Sequence, residues 1–319
     1  RLVVAACLLS AVAVPSEASA QAKAWDVVFE NDALIGILPG KKNSDREYTH
    51  GLWLASEGSG DGLWRRVALG VAPCEADVEQ DRPCLQTRVE FGQKIFTPDF
   101  SDPPTGEPQR PFAGWLFGAT TGRIVSESVE RSLRLELGVT GAPSMAELLQ
   151  SVVHRLTNYP VPSGWDDQLA FEPGVLVRYG ERYVVGGHRE DGMRVVDLIP
   201  AWHVSAGNVR TDVQGGVTLR AGYRLPHPWR PLSPGEDLAA FGVLTLRERW
   251  TGRDLFLDGN TFQESERVER RPFTGAAEAG WGVQYKGVRL TYTLVSEDRL
   301  YETQPRGHMY TRVGLTIER

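Results

Sequence analysis

Alternation with a period of two runs through most of this chain. In 131–139, Leu133, Leu135, Leu137 and Val139 are separated by Arg134, Glu136 and Gly138. In 87–95, Val89, Phe91 and Ile95 alternate with Arg88, Glu90, Gly92 and Lys94. Val213, Val217, Leu219, Ala221 and Tyr223 alternate with Gln214, Gly216, Thr218, Arg220 and Arg224. The pattern returns at Val288, Leu290, Tyr292 and Leu294, and again at Met309, Val313, Leu315 and Ile317. Successive strand residues point to opposite faces, so each run is a strand with one apolar and one polar face. A soluble β-sandwich also alternates, but with shorter strands whose polar row meets water. Runs of about ten residues, with Arg, Glu, Thr and Gly on the second face, fit a transmembrane outer-membrane β-barrel better.

The alternation predicts twelve antiparallel strands, near 25–32, 48–57, 86–97, 112–123, 130–140, 168–185, 193–206, 213–224, 240–252, 268–285, 287–297 and 307–318. Both ends of such a barrel lie in the periplasm. The ends at Asn31-Asp32, Thr49 and the segment after 140 then share the outer rim, provided that 63–72 is not itself a strand. Residues 21–319 form one barrel domain in this reading.

One segment breaks the rhythm. Ser144 and Glu147 have capping-box spacing, and Met145, Leu148, Leu149, Val152, Val153 and Leu156 follow at helical spacing. A short extracellular helix is therefore expected at 144–156. His154 lies opposite the centre of its apolar stripe, beside Glu147, Gln150 and Ser151, as a general base on a polar face would.

Compartment follows from the first residues. The apolar run 2–15 after Arg1, with Ala18-Ser19-Ala20 behind it, reads as a secretory signal peptide over 1–20, cut after Ala20. Val4-Ala5-Ala6-Cys7 also resembles a lipoprotein box, but few apolar residues precede it. The net charge of −6 gives no general basic surface for nucleic acid. Without the leader two cysteines remain, Cys74 and Cys84, which in an exported protein are expected to form a local disulfide.

Nucleophile elbows, H-E-x-x-H, Walker loops and dinucleotide fingerprints are missing from the sequence. What remains is dispersed. Glu30-Asn31-Asp32 closes the first strand, and Ser44-Asp45-Arg46-Glu47-Tyr48-Thr49-His50-Gly51 opens the second. Asn, Asp and Thr supply the oxygen ligands that hard cations such as Ca²⁺ require, although strand-end carboxylates are often solvated turn residues.

The order of these pieces carries more than any one of them. Glu30-Asn31-Asp32, Asp45-Arg46-x-Tyr48-Thr49-x-Gly51, Gln93-x-Ile95-Phe96-Thr97-Pro98, Arg110-Pro111-Phe112-Ala113-Gly114-Trp115, His154-Arg155-Leu156 with Gly164-Trp165-Asp166-x-Gln168, and Phe256-Leu257-Asp258-Gly259-Asn260-Thr261-Phe262 occur in sequence. Together, over essentially the whole mature chain, they resemble the lipid A deacylase family of Gram-negative outer-membrane proteins, which includes the lipid A 3′-O-deacylases. The resemblance implies a twelve-stranded barrel with its site between the outer wall and a helix from an extracellular loop. It also implies a Ca²⁺-assisted carboxylic ester hydrolase acting on an acyl or acyloxyacyl ester of lipid A (lipopolysaccharide) in the outer leaflet. His154, Asn31 and Thr49 are the catalytic positions it indicates, with Asp32 and Asn31 as metal ligands. Arg46, Arg110 and Arg155 are candidates for the sugar phosphates. One departure stands out. The family tends to carry a Glu several residues after the histidine, where this chain reads Thr157-Asn158-Tyr159-Pro160-Val161-Pro162. Glu147, Asp166, Asp167 and Glu172 are possible substitutes. The departure leaves open an inactive barrel with a porin-like or structural role, and a periplasmic sugar-binding sandwich is a more distant alternative.

Overall fold

The computed structural model describes residues 22–32, 46–59, 63–68, 70–74, 82–99, 106–190, 192–229 and 238–318. The leader expected at 1–20, with Cys7 and the cut after Ala20, lies outside them, as do Ser44 and Asp45.

The alternating runs become strands β1 (Ala22–Asn31), β2 (Glu47–Ser59), β3 (Cys84–Thr97), β4 (Ala113–Val125), β5 (Val129–Thr140), β6 (Glu172–Tyr183), β7 (Gly186–Glu190), β8 (Met193–Gly207), β9 (Arg210–Tyr223), β10 (Ala239–Asp254), β11 (Phe273–Tyr285), β12 (Val288–Glu297) and β13 (His308–Glu318). Their pairing is antiparallel throughout, and β1 meets β13 from Ala24–Glu318 to Asn31–Thr311. The sheet closes where β6 pairs with β8, from Leu176–Gly207 to Arg182–Ala201. Twelve strands make a closed barrel, and β7 is a short extra strand hydrogen-bonded to β8. Closure pairs both edges of the twelve-stranded sheet, which is what lets it stand in hydrocarbon, and only the short β7 keeps an unpaired side.

Two expected strands start later than their alternation suggested. Residues 168–171 and 268–272 belong to rim loops, in which Leu169 and Val268 are buried. The segment 63–67 is a short helix, α1 (Leu63–Val67), not a strand, so the strand parity and the shared outer rim hold.

The outward face is apolar and bordered by aromatic residues. Trp250 and Phe273, exposed cross-strand partners, mark the outer border, and Tyr223, paired with Ala240, lies near the inner one. Ten residues of β10 separate Ala240 from Trp250. At about 3.4 Å per residue and a tilt near 40° this is roughly 26 Å, the height of an outer-membrane apolar band.

The lumen is filled. Arg88 bonds Glu57 at 2.7 Å and Glu90 at 3.0 Å, while Arg134 bonds Glu136 at 2.8 Å and also reaches Glu90. Opposite them, Arg312 joins Glu30 at 2.5 Å to Glu278 at 3.1 Å, and Arg247 joins Glu278 at 3.0 Å to Glu297 at 3.1 Å. Such pairs add little net stability, since desolvation offsets their attraction, but each satisfies its neighbour and fixes the strand register. An aromatic stopper of Tyr48, Phe96, Trp115, Phe256 and Tyr310 closes the outer end. A smaller cluster of Cys74, Cys84, Val125, Ile199 and Trp229 closes the inner end. Cys74 and Cys84 are disulfide-bonded, with Cα atoms 4.8 Å apart.

The outer-loop helix, α2, spans Ala146–Thr157 rather than 144–156. Pro143 sits in a 3₁₀ turn over Ala142–Ser144, and Met145 follows it in the left-handed region at φ 58°. A left-handed residue cannot continue a right-handed helix, so α2 starts one residue later. The capping box does not form, because the Ser144 hydroxyl donates to the Gly141 carbonyl at 2.6 Å.

Candidate active site

Cross-strand register assembles the first part of the site. Asn31 of β1 pairs with His50 of β2, His50 with Ile95 of β3, and Ile95 with Gly114 of β4. These four form one row across the outer wall, because Glu30, Lys94 and Trp115 next to them, and Trp53 three residues on from His50, turn into the lumen. At the rim end of the row, the polar residues bond one another. The Asn31 side-chain amide donates to the Thr49 carbonyl at 3.0 Å, which fixes that amide and directs its own oxygen elsewhere. The Thr49 and Thr97 hydroxyls are 2.7 Å apart. Asp32 is fully buried, and its Oδ2 accepts the Arg46 main-chain N–H at 2.9 Å. Thr49 can join Asn31 and Thr97 because β2 bulges between Tyr48 and His50.

The second part is α2, mounted on the same wall. Ala146 and Leu149 pack on Ile95, Phe112 and Trp165. Gly114 permits this seating, since a Cβ there would lie 2.1 Å from Ser144 Oγ and 2.4 Å from the Ala146 Cβ. Gln93 of β3 donates to the Ser144 carbonyl, and Gln150 accepts the Trp165 indole N–H at 2.9 Å.

This seating inverts the usual amphipathic arrangement. Ala146, Gln150 and His154 are buried, whereas Met145, Leu148, Val152 and Leu156 are exposed, Leu156 by 63%. In water that polarity would be unfavourable; beside a bilayer the apolar stripe meets lipid, and the polar face turns to protein. His154 is 7% exposed, and its Nδ1 lies 2.6 Å from the Pro160 carbonyl. A carbonyl oxygen only accepts, so Nδ1 carries the proton and Nε2 of the neutral ring is the basic nitrogen. Asn158 at φ 55° ends the helix, and Tyr159 N–H returns to the His154 carbonyl at 2.8 Å, bringing Pro160 under the ring. Tyr159 adds an edge-on contact at 5.3 Å.

The proposed phosphate ligands separate. Arg46 is buried, bonds the Gly307 carbonyl at 3.0 Å and faces Asp99 at 3.8 Å. Arg110 is buried over the Phe96 ring and faces Glu47 at 3.7 Å. Arg155 alone of the three is exposed, next to His154 on α2. Among the acids considered in place of the family's Glu, Glu147, Asp166 and Asp167 are exposed. Glu172 is buried and committed to a clamp, accepting from Asn208 at 2.8 Å, Asn260 at 3.1 Å and the Thr261 N–H at 2.6 Å. The Asp258-Gly259-Asn260-Thr261 motif thus holds the end of the loop that carries α2. Nearby, the Tyr301 hydroxyl donates to Glu47 at 2.9 Å. Burial and that carboxylate push the Tyr301 pKa above the ordinary tyrosine range.

No group of three or more His, Cys, Asp or Glu side chains stands together among the described residues. Thiolate- or imidazole-rich metal chemistry therefore has no counterpart in them. The carboxylate of Asp32, the amide oxygen of Asn31 and the hydroxyl of Thr49 are instead the donor types that a hard cation such as calcium takes.

Four residues to which the sequence assigned no role lie against the candidate residues: His50 pairs with Asn31, Thr97 bonds Thr49, Gly114 seats α2, and Pro160 bonds His154. His50 and Thr97 carry a strand-end signal in sequence, but only the register places them beside Asn31 and Thr49. Pro160 acts through its main chain, which has no side-chain signature.

A closed twelve-stranded barrel with an apolar outward face, a polar cluster at its outer rim and an outer-loop helix seated on its wall defines the class of this protein, an outer-membrane barrel. Within that class the chain belongs to the outer membrane protein LpxR family, whose sequence profile matches residues 2–319; this is the lipid A deacylase family that the ordered motifs resemble. Among solved structures, LpxR from Salmonella typhimurium superposes with a TM-score of 0.74 at 18% identity, covering 93% of this chain and 100% of that one. That likeness establishes the shared fold. The β domain of the Bordetella autotransporter BrkA is more distant, at 13% identity and a TM-score of 0.46 over 94% of this chain and 100% of that one. Comparison with curated protein sequences gave no match. The protein is thus an outer-membrane β-barrel.

Proposed function

We propose that this barrel is an esterase that removes an acyl or acyloxyacyl chain from lipid A, at the 3′-O position, with calcium assistance. The observation that carries the reading is His154 on a wall-mounted helix, its Nδ1–H bonded to Pro160 and its Nε2 the basic nitrogen. Neutral Nε2 accepts a proton from water as the water oxygen adds to the ester carbonyl carbon. On collapse of the tetrahedral species the C–O bond to the sugar breaks. The Nε2 proton passes to the leaving oxygen, so that free fatty acid and sugar hydroxyl are released. Pro160 stabilises the imidazolium through Nδ1–H, the task that a carboxylate performs in other histidine sites.

Asp32, with the oxygens of Asn31 and Thr49, would hold the calcium. When bound, the ion supplies positive charge to the ester oxygen as negative charge develops there. The lipid-facing stripe of α2 suits a substrate whose chains never leave the outer leaflet. Arg155 is the exposed cation beside the base that suits its phosphates.

The test is mass spectrometry of lipid A after incubation with the detergent-purified barrel and Ca²⁺. Loss of the 3′ acyl mass that disappears with EDTA, with His154→Ala and with Asp32→Asn is the expected result. An unchanged spectrum from a folded barrel would make the protein an inactive scaffold, with the missing acid near Val161 as the cause. Turnover that survives EDTA would remove calcium from the mechanism.

A further inference from the structure

We propose that α1 binds the inner leaflet of the outer membrane, with Arg65 and Arg66 holding the phosphate headgroups of anionic phospholipids. The placement of Trp64 carries the inference. Trp115, Phe117 and Ala119 belong to the lumen cluster, so Gly118, Thr120 and Gly122 of β4 face outward. Trp64 lies on that outward face: its Nε1–H donates to Thr120 Oγ1 at 2.7 Å. A Cβ on Gly122 would lie 2.5 Å from the Trp64 ring, so the glycine is the recess into which the indole fits.

The part of the β2–β3 connection that carries Trp64 therefore lies over the membrane-facing wall. Residues 72–74 of the same connection lie at the inner stopper. There the Leu85 N–H donates to the Ala72 carbonyl at 2.8 Å, Cys74 N–H donates to Leu85 at 3.0 Å, and the disulfide to Cys84 fixes the end. A segment held on both sides of one sheet edge has a defined depth.

That depth is the headgroup region. Gly122 lies three residues before the end of β4 at Val125, about 10 Å of strand from the rim. Leu63 and Val67, one helical turn apart, are both exposed beside the docked indole. On a wall that stands in lipid, they sit at the edge of the hydrocarbon. Arg65 and Arg66 are exposed, and neither forms an ion pair among the described residues. Apolar anchors with cations at their edge are the composition of an interfacial element, where arginine reaches to phosphate. The chain carries net charge −6, so this basic pair is a local feature and not general surface charge.

Native mass spectrometry of the full chain in detergent tests the proposal, with phosphatidylglycerol and phosphatidylcholine of identical acyl chains offered together at low salt. The wild type is expected to retain phosphatidylglycerol preferentially. Arg65→Gln with Arg66→Gln should weaken that retention about thirtyfold and leave phosphatidylcholine unchanged. Arg65→Lys with Arg66→Lys should restore most of it. Folding of each variant is read from heat-modifiable migration, and lipid A turnover should match the wild type, since neither arginine belongs to the catalytic site. Equal retention of phosphatidylglycerol by the Gln variant, or no preference in the wild type, would overturn the assignment.

Discussion

His154 donates its Nδ1 proton to the main-chain carbonyl of Pro160 at 2.6 Å, and that bond sets the tautomer of the ring. Nitrogen-15 spectra of ring-labelled histidine should therefore show His154 protonated at Nδ1 when neutral. His154→Gln should lower turnover by about 10²- to 10⁴-fold while leaving the melting temperature close to wild type. A ring found protonated at Nε2 would sink the proposed base.

Gly114 sets the distance between α2 and the wall. Gly114→Ala places a Cβ 2.1 Å from Ser144 Oγ and 2.4 Å from the Ala146 Cβ, so the helix must move. A displacement of about 1 Å at a reacting group costs on the order of 10²-fold in rate. The variant should lose activity by about that factor yet still form a closed barrel, which heat-modifiable migration will report. Wild-type turnover in this variant would mean that the seating of the helix does not position the base.

The lumen should not conduct. Two end clusters and the intervening lattice of Arg88, Arg134, Arg247 and Arg312 with their carboxylates occupy the space through which ions would pass. Single-channel recording in planar bilayers should stay at the leak of the protein-free membrane. Steady unitary steps would support the porin-like alternative and contradict the packing.

Tyr301 makes the outer rim sensitive to alkali. Burial and Glu47 raise its folded pKa above the unfolded value of about 10, so folding favours the protonated phenol. The stabilisation is complete below pH about 10 and is lost as pH rises through the folded pKa. Thermal melts of the wild type should therefore fall at strongly alkaline pH, and Tyr301→Phe should flatten that fall. An identical alkaline fall in both proteins would place the titration elsewhere.

Sequence alone determined the class of fold. Period-two alternation is imposed on every strand that separates lipid from a filled lumen, so β3, β5, β9, β12 and β13 were legible residue by residue. Parity of strand count then put Asn31, Thr49 and the helical loop on one rim. The helix was legible too, because Leu148, Val152 and Leu156 repeat at its pitch. Its start was not: Met145 adopts a left-handed conformation and Ser144 bonds backward, choices made by packing against Gly114. Sequence read β7 as no strand at all, since its five residues are ordered only by pairing with β8. Tertiary structure also decided which face of α2 meets protein, because amphipathicity has no sign until the surrounding solvent is known. It placed Arg46 and Arg110 inside the rim and paired His50 with Asn31. It put a backbone carbonyl, which no residue letter encodes, under His154. Cross-strand register, bulges and main-chain hydrogen bonds join residues far apart in the chain, and only folding brings those groups within reach.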